Sequence, residues 1–342
     1  MTAPPRWRCP LTGAPLTPDG DHLAAPGIRY PVVDGVPLLA PWHARGDAVP
    51  PSPLDPARAA EIRDETAIYD RLAAADRTRL APARRRLLGP ALDAAIRRGA
   101  LPATFPDPLA TWIDSVGSAD TQAIAYRHLA PLTGARVLQL GGTGSHAHKA
   151  LLAGAAHATL LSPALEEIHL ARALAADLGV ADRFTGVVAI GERIPLPDAT
   201  LDRIYGGGCL HHTAIEHSLP ELARVLAPGG RAAFVDPLDN PIYRAWTALA
   251  GHRARFCGDE EGTHDHPLDR ATLLTLARRH FSRVELHPSG GPLRYAVILA
   301  ARTLHRAPAP ARAARWYTAE RRLLHALRLD ALYGNLALCL TR

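Results

Sequence analysis

Three clusters carry residue types and spacings suited to chemistry. The first is Gly141-Gly142-Thr143-Gly144-Ser145-His146, three glycines in a turn between an apolar run and a helical one. Without Cβ atoms such a turn brings backbone up to a ligand, and the free N–H groups at the start of the helix face it. A plain tight turn uses the same glycines, so both readings stand at this point. The second is His211-His212, with His217 after it. Vicinal histidines suit a general base working near neutral pH, and they also fit an ordinary structural turn. The third is His264-Asp265-His266, donor types that suit a divalent ion but lack a third placed ligand. The adjacent Asp259-Glu260-Glu261-Gly262 reads as a solvated acidic loop, and no metal site is expected. Cys9, Cys209, Cys257 and Cys339 lie far apart without a C-x-x-C pair. Neither a disulfide framework nor a four-thiolate zinc site follows, and a reducing compartment fits. Cys209, after Gly206-Gly207-Gly208, reads as a small wall residue of a pocket rather than a nucleophile.

The elements that must position these residues alternate. Arg136 to Leu140, His157 to Leu161, Phe184 to Ile190, Leu201 to Gly206 and Arg231 to Asp236 read as buried strands. Helices fit between them at His146 to Ala155, Pro163 to Leu178 and Ile215 to Leu226. This alternation predicts an α/β three-layer sandwich around a mostly parallel sheet, with its ligand at the carboxyl ends of the strands. A helix over Leu268 to His280 and two apolar runs, Val284 to His287 and Leu293 to Ala300, predict a closing hairpin. Upstream, Asp55 to Gly99 is rich in Ala, Leu, Arg and Glu and reads as helices, with Ile62, Thr66, Tyr69 and Leu72 on one face. Pro50 to Pro53 is a linker, and a helix follows at Ala119 to Leu129. The first forty residues, rich in Pro and Gly, read as a small β module turning at Asp34-Gly35.

The chain has 342 residues, 47% of them hydrophobic, enough for a sizeable core. No run of apolar residues is long enough for a membrane span, and the first residues hold no apolar signal core, so a cytoplasmic protein is expected. Lys149 is the only lysine. From Ala301 to Arg342 eight arginines face only Glu320 and Asp330, which accounts for the whole formal charge of +6. The first 300 residues are then net neutral, and nucleic-acid binding is not expected. Leu323, Leu324, Leu327, Ala331 and Leu332 form an apolar stripe in this tail, as in an amphipathic helix docked on the domain or on a second copy in a homodimer.

Five ordered segments carry a family resemblance: Val137-Leu138-Gln139-Leu140-Gly141, Leu161-Ser162-Pro163, Glu192 to Asp202, Leu210-His211-His212 and Leu222 to Arg231. Together they resemble the class I S-adenosylmethionine (SAM) methyltransferases of the ubiquinone and menaquinone methyltransferase type, over about residues 110 to 240. Ala67 to Ala73 resembles the aromatic-Asp segment of that family's lid helix. The segment from Trp7 to Ala40 resembles the zinc-ribbon domain of the activator subunit of tRNA methyltransferases. Only Cys9 remains of its two cysteine pairs, so a metal-free relic held by Tyr30, Val32, Val33, Val36, Leu38 and Leu39 is expected.

The resemblance implies a Rossmann-like seven-stranded sheet and four regions: a ribbon-like module at 1–45, a helical lid at 55–130, a SAM-binding domain at 131–301 and a basic helical tail at 302–342. It implies SAM held by Gln139, Gly141, Gly142, Gly144, Ser162, Ile190, Gly191, Glu192 and Gly207, with Tyr69 closing over the methionine end. His211 or His212 is the base, and the acceptor is a small molecule. Three carboxylates usual in the family are replaced here by Gln139, Leu160 and Ile190. Charged hydrogen bonds are worth about 1.5–3 kcal/mol each, so substitutes are needed, and Ser162, Glu166 and Glu192 are near enough in sequence. Two other readings stand beside methyl transfer. One is non-methylating SAM chemistry, a cyclisation or elimination that releases methylthioadenosine; the other is a non-catalytic methyltransferase-like partner.

Overall fold

Strands buried on both faces need apolar residues in both phases, and Arg136-Val137-Leu138-Gln139-Leu140, buried in all but its first position, has Val137 in one phase and Leu138 and Leu140 in the other, with Gln139 its one buried polar residue. In the computed structural model, which describes residues 6–52, 54–241, 244, 267–304 and 307–342, this segment is an interior strand of a seven-stranded sheet. Its strands are β5 (Arg136–Leu140), β6 (His157–Ser162), β7 (Phe184–Val188), β8 (Leu201–Gly207), β9 (Leu226–Pro237), β10 (Arg283–Ser289) and β11 (Asn335–Thr341). The order is β10-β11-β9-β8-β5-β6-β7, parallel throughout except that β11 runs antiparallel to both its neighbours. This is the expected α/β class. Leu138 and Leu140 point into a core with Leu219 and Leu222 of α7 (Ile215–Val225) and Leu273 and Ala277 of α8 (Arg270–His280). Val137, Leu160 and Tyr205 point the other way, against α4 (Ala119–Leu129), α5 (Ser145–Leu152) and α6 (Leu165–Asp177). The order reverses between β5 and β8, so the crevice at the carboxyl ends of these strands is where a ligand fits.

The region expected to form a lid holds α1 (Pro56–Arg77), α2 (Ala81–Arg84) and α3 (Pro90–Arg97). Asp55 caps α1, its side chain accepting from the N–H groups of Ala57 (2.8 Å) and Arg58 (3.3 Å), with Pro56 in the first turn. Of the expected face of α1, Ile62 is buried and Leu72 is exposed; the buried stripe runs instead through Ala59, Ile62, Glu65 and Ala73.

Residues 17–37 form an antiparallel sheet of β1 (Thr17–Asp19), β2 (His22–Ala25), β3 (Ile28–Val33) and β4 (Val36–Pro37). Asp34 and Gly35 make the expected turn, both with positive φ. The module joins the main sheet at its edge, where the Leu39 N–H donates to the Val188 carbonyl at 2.7 Å and Leu38 bridges Val188 in parallel. Tyr30, Val36, Leu38 and Leu39 are buried as expected, but Val33 is exposed because it sits at the tip of the hairpin. Cys9 is buried, its Sγ 3.5 Å from Tyr30 Oη.

The C-terminal third departs from expectation. Leu293 to Ala300 is not a strand but part of α9 (Pro292–Leu304); a short apolar run has no decisive period, and Pro292 in the first turn sets the helix. The strand that pairs β10 is β11, from the tail expected to be helical. That tail is helical through α10 (Pro310–Ala326) and then inserts β11 between β9 and β10. The docked face of α10 is Ala313, Tyr317 and Leu324, whereas Leu323 and Leu327 are exposed and Ala331 and Leu332 lie beyond the helix. The single lysine is buried, with Lys149 Nζ on Asp114 Oδ2 and 3.2 Å from Tyr126 Oη. No helix among the described residues is long and apolar enough to cross a membrane.

Candidate active site

Where β5 ends, the chain turns through Gly141 and Gly142 into α5, both glycines in the left-handed region (φ +70° and +75°). Gly144, at φ +80°, starts α5, and a Cβ there would stand 2.7 Å from Ala171 Cβ, so it serves helix packing and does not line the cavity. Gln139 braces this turn. Its Oε1 accepts from the Ala147 N–H at 2.7 Å and its Nε2 donates to the Gly141 carbonyl at 2.8 Å. The amide satisfies both partners within the loop, and a carboxylate could not donate to Gly141. Gln139 is therefore a brace of the glycine turn rather than a wall of the cavity, contrary to the expected cofactor contact.

A cavity of about 250 Å³ opens at the carboxyl edge between this turn, the ends of β6 and β8, the segment after β7 and helix α1. Of the expected cofactor residues, Tyr69, Gly141, Gly142, Ser162, Ile190, Gly191, Glu192 and Gly207 line it. Apolar wall comes from Ile62, Leu140, Leu161 and Ile190.

Three carboxyl groups also line it, of which only one was expected: Glu65, Glu167 and Glu192, at 5%, 7% and 2% exposure. Glu167 comes from the first turn of α6, and Ser162 Oγ donates to its Oε2 at 2.6 Å. Burial, assisted by the nearby Asp70 carboxyl, pushes Glu167 up to about 7. Glu192 accepts from the Ala214 N–H at 2.9 Å, lies 3.7 Å from Arg58, and is raised above the usual carboxylate range by burial. Glu166, an expected substitute, instead pairs with Arg77 at 2.7 Å while its N–H donates to Asp70. Adjacent residues on a helix point about 100° apart, so only Glu167 faces inward. The sequence reading named Glu166 and missed Glu167; the signal that could have found it is the pair of acidic residues in the first turn of α6.

The two histidines separate. His211 is buried, with Nδ1 2.8 Å from Asp236 Oδ1, and does not line the cavity. His212 does line it, and its Nδ1 lies 3.1 Å from Glu65 Oε1. The rings stand 3.9 Å apart between centroids, and Tyr69 meets His212 edge-on at 6.2 Å. Cys209 is in the wall as expected, and burial raises its thiol well above the usual range, which leaves it unreactive. Cys257, the acidic run 259–262 and the His264-Asp265-His266 segment lie outside the described residues. Among the described residues no group of three metal-ligating side chains converges.

Residues 138–234 match the family model of a methyltransferase domain, a domain whose cofactor is SAM. The match begins in β5 and ends in β9, so it covers the glycine turn and both histidines. Among solved structures the chain is similar to geranyl diphosphate C-methyltransferase from Streptomyces coelicolor A3(2), in complex with Mg2+, geranyl-S-thiolodiphosphate and S-adenosyl-L-homocysteine. Identity is 14% and the TM-score 0.52, over 85% of this chain and 100% of that one. An S-adenosylmethionine-dependent methyltransferase from Mesorhizobium loti matches at 19% identity and TM-score 0.44, over 67% of this chain and 100% of that one. The [4+2]-cyclase SpnF matches at 19% identity and TM-score 0.44, over 65% of this chain and 80% of that one. The class that fold and domain match define is the SAM-dependent methyltransferase fold, Rossmann-like and seven-stranded.

Proposed function

We propose that this protein transfers the methyl group of SAM to a small-molecule acceptor. The observation that carries the reading is the cavity at the carboxyl edge, lined by a glycine turn and by three buried carboxyl groups, one of which, Glu192, lies 3.7 Å from Arg58. Buried carboxyls are costly unless a partner compensates them, and a ligand with net positive charge and a donating diol supplies both kinds of partner. The family's three usual carboxylates are absent, but Glu65, Glu167 and Glu192 bring the same chemistry from other elements. Ser162 and Glu167 would hold the ribose hydroxyls, and Ile190, Gly191 and Glu192 would hold the adenine. Gly141 and Gly142 would give backbone to the methionine end, with Tyr69 over it from α1.

When bound, SAM supplies an electrophilic methyl group on a sulfonium. The chain's own contribution is to hold the acceptor in line, exclude water and take a proton where the acceptor has one to lose. Calorimetry should show SAM and S-adenosylhomocysteine binding to the full chain; absence of heat at millimolar ligand would sink the reading. Incubation with SAM alone should leave it intact. Release of methylthioadenosine would instead decide for a cyclisation or elimination, and co-purification with an active methyltransferase without turnover alone would favour a non-catalytic partner.

A further inference from the structure

Glu65 has no part in the five sequence segments that resemble a methyltransferase, yet it is a carboxyl at 5% exposure on a helix otherwise rich in surface charge. A charged group is seldom buried on such a helix without a partner. One partner is His212, 147 positions away on another element, at 3.1 Å from Oε1 to Nδ1. A neutral imidazole that donates from Nδ1 to a carboxylate keeps Nε2 as its acceptor nitrogen. His212 is also the histidine that lines the cavity, while His211 is held at Nδ1 by Asp236 behind it.

We propose that Glu65 is the positioning residue that fixes His212 Nε2 as the proton acceptor, so that the base is complete only while α1 lies against the sheet edge. The acceptor is then a small molecule that carries hydrogen on the atom to be methylated, a hydroxyl, an amine or an acidic carbon. As that atom bonds to the methyl carbon it releases its proton to Nε2, and the pair of electrons from the broken carbon–sulfur bond stays on sulfur. The imidazolium so formed is balanced by Glu65. This inference rests on the methyl-transfer reading and adds to it the identity of the base, what orients it and the class of acceptor.

The test uses the full chain labelled with 15N-histidine, at a pH where the ring is neutral, with His212 assigned by its loss in His212→Gln. The parent should show hydrogen on Nδ1 of His212 and none on Nε2. Glu65→Ala should shift hydrogen to Nε2, and Glu65→Gln, whose amide oxygen still accepts, should restore the parent pattern. Diethyl pyrocarbonate, which attacks an unprotonated ring nitrogen, gives a reactivity readout. Modification of His212, read by mass spectrometry, should slow about tenfold in Glu65→Ala, recover in Glu65→Gln and be blocked by S-adenosylhomocysteine. If Glu65→Ala does not fold, the parent and Glu65→Gln spectra decide, since a parent with hydrogen on Nε2 overturns the assignment. A tautomer and a reactivity indifferent to Glu65, with S-adenosylhomocysteine still bound, overturn the positioning role alone. Failure of S-adenosylhomocysteine to bind the parent overturns the reading beneath it.

Discussion

Glu167 shows how one side chain couples proton, fold and ligand. Its ordinary value is 4.5 and burial in the folded chain raises it to about 7. Below about 4.5 both folded and unfolded chains hold the proton and nothing is lost. Between there and 7 only the folded chain holds it, so stability falls as pH rises, and above 7 the full cost of a buried carboxylate stands. Glu167→Gln removes that cost, on the order of 1–3 kcal/mol, so its melting temperature should exceed the parent's more at pH 8 than at pH 5. Affinity should move the opposite way. Replacing the carboxyl weakens the proposed hold on the ribose, and because SAM and S-adenosylhomocysteine share that ribose, calorimetry should show both losing about tenfold or more in Kd. Parallel stability curves at the two pH values would contradict the first expectation, and unchanged affinity the second.

At the scale of elements, the N-terminal sheet caps an edge. β7 is the last strand of the main sheet, and the chain from Leu38 to Leu39 supplies the contact that covers its outer side at Val188. An uncovered strand edge invites pairing with other chains. Tyr30 and Leu39, both at 0% exposure, further belong to the same core as Leu138 and Val187. Deleting residues 1–40 should therefore expose both an edge and apolar surface. Light scattering should show aggregation of the truncated chain at concentrations where the parent is monodisperse, and a truncated chain that stays dispersed would show that the module is dispensable to the fold.

At the scale of the whole molecule, the cavity is assembled by parts distant in sequence: α1 from residues 56–77, the glycine turn near 141, the first turn of α6 and the segments after β7 and β8. Helix α1 packs along α6, with Arg77 on Glu166 at 2.7 Å and Asp70 accepting the Glu166 N–H at 2.8 Å. A ligand between them ties α1 to the sheet edge and stabilises the closed arrangement by mass action. Hydrogen exchange should slow in α1 when S-adenosylhomocysteine is added. It should be unchanged in α10, which none of the cavity-lining residues belongs to. Equal slowing in both helices would point to a global effect instead.

The alternation of β5 to β9 with α5 to α7 was legible in the sequence because a doubly covered parallel strand must be apolar in both phases and a helix between two of them must turn the chain back. The glycine turn was legible locally as a Gly-rich turn between strand and helix, whereas Ser162, the segment from Ile190 to Glu192 and the histidine pair were picked out by the family resemblance of the segments that hold them, at or shortly after strand ends. What only the tertiary structure decided depends on packing between distant segments. Leu293 to Ala300 became a helix and Asn335 to Thr341 a strand, because a short apolar run takes the form that its neighbours leave open to it. Gln139 turned inward to brace its own loop, and Glu167 rather than Glu166 reached the cavity, because facing is set by helix phase against a wall made elsewhere. The pairing of Glu65 with His212 spans 147 positions, and neither residue carries a local signal of the other.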